Sequence, residues 1–170
     1  MPSTYTPIAT YTASTAITSY TFSSIPQTYT DLVLIGAPIG GRYDSVDYRV
    51  GNGSVDTGSN YSKTSVVGRT NNTAVSFRAT NYSWIDTFVQ SGLTTDQISP
   101  TIAHFINYSN TTTFKTVLIR DGAAANDVEM TAGLWRSTSA ISAIQIAYSQ
   151  NGGQTFKAGT TFTLYGIKAA

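Results

Sequence analysis

Residues 20–36 read YTFSSIPQTYTDLVLIG, and this stretch decides the fold class. Leu32-Val33-Leu34-Ile35 is a continuous apolar run between Asp31 and Gly36. A run that short is too brief for a helix and suits a strand buried on both faces. Upstream, Tyr20 and Phe22 share one side of a short alternating segment. Between the two stands Ile25-Pro26. Proline removes a backbone donor and pushes its predecessor out of the helical region, so the chain turns there. The expectation is a hairpin-like entry into a sandwich, with Leu32–Ile35 as a central strand.

The same rhythm continues downstream. Val46, Tyr48 and Val50 alternate with Asp47 and Arg49 over 43–50, and Val75, Phe77 and Ala79 alternate with Ser76 and Arg78. Ile102, His104, Ile106 and Tyr108 form one row, answered by Ala103 and Phe105. Further strands are expected over 114–120, 128–135, 141–148 and 161–167. Only Thr94–Ser99 (TTDQIS) offers a helical turn, capped by Thr94 or Thr95. About nine or ten strands separated by Gly, Asn, Pro and Ser predict an all-β, antiparallel two-sheet β-sandwich, jelly-roll-like. Residues 1–15, rich in Ser, Thr and Pro, are expected as an extended N-terminal arm on a single domain spanning 16–170.

Composition narrows the function. Charged residues make up 11% of the 170, well below the roughly 25% of ordinary soluble proteins, and hydroxyls replace them as 28 Thr and 19 Ser. A net charge of +1 offers no field for nucleic acid, so binding driven by counterion release is not expected. The absence of cysteine excludes disulfides, thiolate metal sites and cysteine nucleophiles, and makes oligomerisation the expected staple. The first fifteen residues have neither the basic region nor the apolar core of a signal peptide, and no apolar run reaches membrane-span length.

Few residues carry candidate chemistry. Asp56-Thr57-Gly58 matches the aspartic-protease triplet, in which two carboxylates share a proton. A single copy preceded by Gly51-Asn52-Gly53-Ser54-Val55 reads instead as a turn, with Asp56 accepting hydrogen bonds from the backbone of Gly58 or Ser59. His104, the only histidine, lacks companion ligands and is expected as a packed or interface residue. Asp44 and Asp47, three residues apart, are compatible with a calcium site without specifying one, and the Asp121–Asp127 loop, close to Glu129, lacks EF-hand spacing, so a solvated loop is expected. Tyr5, Tyr11, Tyr29, Tyr43, Tyr61, Tyr82 and Trp84 would build a sugar-stacking platform if exposed, or core and subunit contacts if not. Trp135, followed by Arg136, is expected in the core or as an Arg-stacked wall. No residue is assigned a catalytic, cofactor-binding or metal-binding role.

Four pieces carry a family likeness: Tyr20–Gly36, Asp56-Thr57-Gly58-Ser59-Asn60-Tyr61, Trp135-Arg136-Ser137-Thr138-Ser139-Ala140-Ile141, and Thr163-Leu164-Tyr165-Gly166-Ile167. In order and spacing the chain resembles small virion structural proteins and fibre domains of tailed bacteriophages. The resemblance implies a non-enzymatic capsid decoration (cement) protein that binds the outer capsid surface and stabilises it. It would act without cofactor as a homo-oligomer, a homotrimer first, against the major capsid protein or other virion proteins. It would be made in the host cytoplasm and sit on the particle surface, its arm ordering only on assembly. The alternative is a tail-fibre or head-fibre tip binding a host-surface glycan or receptor through Gly36–Gly41, Gly51–Asn60 and Asp121–Asp127. A dimeric aspartic protease using Asp56 is the remote alternative.

Overall fold

The computed structural model describes residues 4–40, 45–87, 98–123, 127–149 and 154–168, and these contain strands but no helix. The strands are β1 (Tyr5–Thr12), β2 (Ser19–Phe22), β3 (Asp31–Ala37), β4 (Val46–Gly51), β5 (Tyr61–Arg69) and β6 (Ala74–Tyr82). They continue as β7 (Ile85–Asp86), β8 (Thr101–Ile106), β9 (Lys115–Gly122), β10 (Asp127–Trp135), β11 (Ala143–Tyr148) and β12 (Thr161–Ile167). An eight-stranded sheet in the order β1-β12-β3-β8-β9-β10-β5-β6 faces a four-stranded sheet in the order β2-β11-β4-β7. Every pairing is antiparallel, so the chain is an all-β sandwich of unequal layers.

The pairings are nested. β1 pairs with β12, β2 with β11, β3 with β8 and β4 with β7, so one long hairpin of chain is rolled alternately into the two sheets. Two local hairpins, β5–β6 and β9–β10, are inserted into it and widen the large sheet beyond β8.

Residues 20–36 therefore do not form a hairpin. β2 lies in the small sheet and β3 in the large one, and the turn carries the chain from layer to layer. That crossing is pinned by Ile25 N–H to Ser142 O (3.0 Å), by Gln27 Nε2 to the carbonyls of Ile25 (2.8 Å) and Ile141 (2.9 Å), and by the Tyr108 hydroxyl to Pro26 O. β3 is an interior strand between β12 and β8, with Leu32, Val33 and Leu34 buried on both faces as expected. Ile35 departs from this: it is 42% exposed on the outer face.

The segment expected as an arm supplies β1 over Tyr5–Thr12, hydrogen-bonded along β12. Without it β12 would be an open edge, with unpaired backbone groups along one side. Ile8 and Tyr11 pack against the core, and the Tyr11 ring stacks on Tyr20 with centroids 3.8 Å apart. The expected turn at 94–99 falls on residues of which only 98 and 99 are described.

The core lies between the small sheet and the β12-β3-β8 part of the large one, where Leu32, Leu34, Tyr48, Phe105, Ile144, Ile146, Phe156, Phe162 and Leu164 are buried. Phe156 packs edge-on against both Tyr148 and Phe162 at 5.3 Å. At Gly166 a methyl group would stand 2.3 Å from the Tyr29 ring, so the glycine admits that ring onto β12.

Candidate functional site

Beyond β8 the large sheet mixes polar side chains into its inner face, beside the buried Val67, Val117, Ile119 and Trp135, and sets apolar ones outside. Strand alternation sends Lys63, Ser65, Glu129 and Thr131 inward, where all are buried. The same alternation sends Val66, Val128 and Met130 outward at 58%, 65% and 54% exposure. Register places Ile35, Ile102, Arg120, Met130 and Val66 in one outer row across five strands. Leu118 and Ile106 extend the apolar face along β9 and β8. Two open hollows of about 380 and 440 Å³ lie on this side, both bordered by Arg120 and Val128, the first also by Pro100 and Ile102, the second by Val66, Ala74 and Met130.

Charge on this face is sparse. Arg120 and Arg78 have no ion pair or hydrogen bond among the described residues. Asp31 is already engaged: its Oδ2 lies 3.0 Å from His104 Nε2 and its Oδ1 accepts the Asn107 N–H at 2.6 Å. His104 thus belongs to the outer face of β8, opposite Val33 and Leu118, and not to a ligand cluster.

The inner side holds a polar compartment. Asp121 stands directly opposite Glu129 across β9 and β10, and opposite Thr101 across β8 and β9. The Thr131 hydroxyl donates to Glu129 Oε1 (2.7 Å) and meets the Ser65 hydroxyl (2.7 Å). Lys63 Nζ is 2.8 Å from Asp86 Oδ2 and donates to Asp86 O at 2.9 Å. Tyr48 and Thr101 hydroxyls meet at 2.6 Å. Burial pushes the Asp121 carboxyl up to about 7; its hydrogen bond with Thr87 and the Lys63 charge oppose that, and the Glu129 charge adds to it. Asp121 and Glu129 were expected in a solvated group with Asp127, and the sandwich interior claims them instead. Chemically this compartment can hold a proton near neutrality; among the described residues no cluster of three His, Cys, Asp or Glu is arranged to hold a metal ion.

Asp56 is a structural acceptor. Gly58 N–H donates to its Oδ1 (2.8 Å), while Asn60 Nδ2 and Trp135 Nε1 donate to its Oδ2 (2.8 Å each). Partial burial pushes its pKa up, but these bonds outweigh that and hold the carboxyl below the usual range. Arg136 completes the junction by donating to Ser59 O (2.6 Å), Tyr61 O (3.3 Å) and Asn81 Oδ1 (3.0 Å). The pieces around Asp56 and Trp135 therefore meet in space, and each contributes to fastening a loop. Trp135 is a core residue at 4% exposure.

The expected aromatic platform is divided. Tyr61 is fully buried and its hydroxyl bonds Val50 and Asp56 backbone, whereas Tyr82 and Trp84 form an edge-on pair near the surface with Arg49 5.5 Å above Trp84. Tyr43 and Asp44 lie outside the described residues. Asp47 is buried, with Ser45 Oγ donating to it at 3.4 Å. The three loops expected at one end are separated: Gly36 and Asp121 share a row at one end of the large sheet, while Tyr61, which closes the 51–60 loop, pairs with Trp135 at the other.

Sequence reasoning missed Lys63, Ser65 and Arg120. The signal for the last was present in the alternation of KTVLIRDG over 115–122, where Leu118 and Arg120 oppose Val117 and Ile119. It also missed Lys115, buried at 3% exposure, whose ammonium donates to Thr113 O (2.7 Å) and Thr138 O (3.1 Å) and whose pKa burial lowers.

No protein-family model matches this chain, and no curated protein is significantly similar to it.

Proposed function

We propose that this chain is a non-enzymatic structural protein of a bacteriophage virion, a decoration protein that binds the outer capsid surface and stabilises it. The observation that carries the reading is the uncovered apolar face of β3, β8, β9, β10 and β5. Exposed apolar patches of this extent on an isolated subunit mark surfaces that another protein covers. The resemblance of the four sequence pieces supplies the kind of assembly, and the nested strand pairing supports reading the sandwich as a jelly roll with two inserted hairpins. Capsid contact runs through the outer face, and homotrimerisation engages the remaining strand edges and tyrosine-bearing surfaces.

The test is location. Labelling the protein on purified phage particles and imaging them by electron microscopy should mark the head lattice. Label confined to the tail or to fibre tips overturns decoration and favours the receptor-binding alternative, for which the exposed Tyr82–Trp84 pair is the nearest glycan platform.

A further inference from the structure

The outer face carries a more specific chemistry than apolar cover. We infer that β8, β9, β10 and β5 dock a partner protein surface that presents a carboxylate between two apolar side chains, the carboxylate meeting Arg120 and the apolar groups filling the hollows beside it. This rests on the reading of that face as an assembly surface.

Charge is the first argument. Arg120 lies mid-row between Ile102 and Met130 and has no partner among the described residues, and Arg78 farther out is in the same condition. The face's described carboxylate, Asp31, is held by His104 and the Asn107 N–H. Of the acids nearest in sequence, Asp121 and Glu129 are turned by the pleat toward the opposite side, and Asp127, which borders the first hollow, makes no ion pair with Arg120. A guanidinium on an apolar surface is weakly hydrated and suited to fork onto a carboxylate, so a matching acid is favoured and a second cation repelled.

Space is the second argument. The hollows of about 380 and 440 Å³ flank Arg120 and share it with Val128, so apolar groups on either side of a carboxylate find room together. Ile35, Val66, Ile106, Leu118, Val128 and Met130 expose on the order of 500 Å² between them, and the polar rim brings the face toward the roughly 800 Å² per partner of a standard interface. A second copy seated face to face about a two-fold axis would bring Arg120 toward its own equivalent. Nucleic acid would need more phosphate contacts than Arg120 and Arg78 provide.

The full chain, labelled with nitrogen-15, is titrated by NMR with the peptide acetyl-Leu-Ser-Glu-Ser-Leu-amide, whose alternate side chains share one side when extended, and with its Gln counterpart. The Glu peptide should shift resonances of Val66, Ile102, Arg120, Val128 and Met130, with the Gln peptide about tenfold weaker, as befits loss of a charge-assisted contact. Arg120→Gln should remove that difference, and Met130→Lys should remove binding of both. Equal binding of both peptides, abolished by Met130→Lys, overturns the carboxylate while leaving the assembly face standing. Binding by neither peptide, or binding indifferent to Met130→Lys, overturns both. A concentration-dependent dimer that Met130→Lys abolishes assigns the face to a second copy and overturns the inference. Arg120 and Met130 point outward, so circular dichroism should show both variants folded.

Discussion

The two halves of the large sheet use opposite logic. Under β12, β3 and β8 the inner face is Leu32, Leu34, Phe105, Phe162 and Leu164, packed against the small sheet. Under β9, β10 and β5 the inner face also contains Lys63, Ser65, Asp121, Glu129 and Thr131, while Val66, Val128 and Met130 stand outside. The first half is stabilised by removal of apolar surface from water, whereas the second also holds buried polar groups, paired through Lys63–Asp86 and Thr131–Glu129 but with Asp86 Oδ1 and Asp121 Oδ1 left without a hydrogen bond among the described residues. The difference teaches that a strand's apolar row marks the surface that needs covering, which in an assembling protein need not be its own core.

The largest contrast should come from deleting a core ring. Phe162→Ala in the apolar half should cost about 4 kcal/mol in urea unfolding, as buried aromatic truncations do. A loss below about 1 kcal/mol would break the comparison, because the core would then not be where stability resides.

Next is the buried ion pair. Lys63→Ala strands the Asp86 carboxylate, which it meets at 2.8 Å, and should cost about 3 kcal/mol, whereas Lys63→Met with Asp86→Leu should recover most of it. Failure of the double variant to recover would show that the polar compartment is required as a whole.

Asp121 sharpens the comparison through pH. Its folded pKa of about 7 lies above the ordinary 3.8, so the native state keeps a proton that the unfolded chain releases between those values. The stabilisation is therefore complete below about pH 4 and is lost as pH rises toward 7, amounting to about 2–3 kcal/mol between pH 5 and 8. Chemical denaturation at the two pH values should show this slope in the parent and a flatter profile in Asp121→Asn.

Asp56 has the opposite sign. Its carboxyl is held below the ordinary range, so its contribution is present above the unfolded pKa and disappears as acid carries the solution through the folded one. Asp56→Ala should cost about 1–2 kcal/mol at pH 7, measured by thermal melting, with the gap to the parent closing in strong acid.

The smallest effect is expected outside. Met130→Ser or Val128→Ser should change unfolding free energy by no more than about 0.5 kcal/mol, since neither side chain is covered in the single subunit. A cost of 2 kcal/mol or more would mean that the outer face is already covered by this chain itself.

Much of the architecture was legible before any coordinates. The apolar run Leu32–Leu34 marked a strand buried on both faces, Pro26 marked the turn before it, and the alternation in 161–167 marked a strand by period-two burial; the alternation in 46–50 also marked a strand, although the packing there buries Asp47 as well as Val46, Tyr48 and Val50. β5 escaped notice because its inward row is Tyr61, Lys63, Ser65 and Val67, a pattern with no apolar alternation to detect. β1 escaped because an edge strand rich in Thr resembles a loose arm until β12 is there to pair with it. The turn role of Asp56 was legible, since an Asx residue before Gly is a local matter of two peptide groups. Its bond to Trp135 was not, being set 79 positions away.

Composition and periodicity by themselves determined an all-β chain with sparse charge and no cysteine, since these follow from residue types and nearest-neighbour geometry. Tertiary structure alone decided which row of β8, β9 and β10 faces inward, that residues 20–36 pass from one sheet to the other, and that Asp121 meets Glu129 while Arg120 lies outside without a partner among the described residues. The physical reason is that alternation separates two faces of a strand without naming either one as the interior. Only the packing of distant strands, through register and the reach of the smaller sheet, makes that choice.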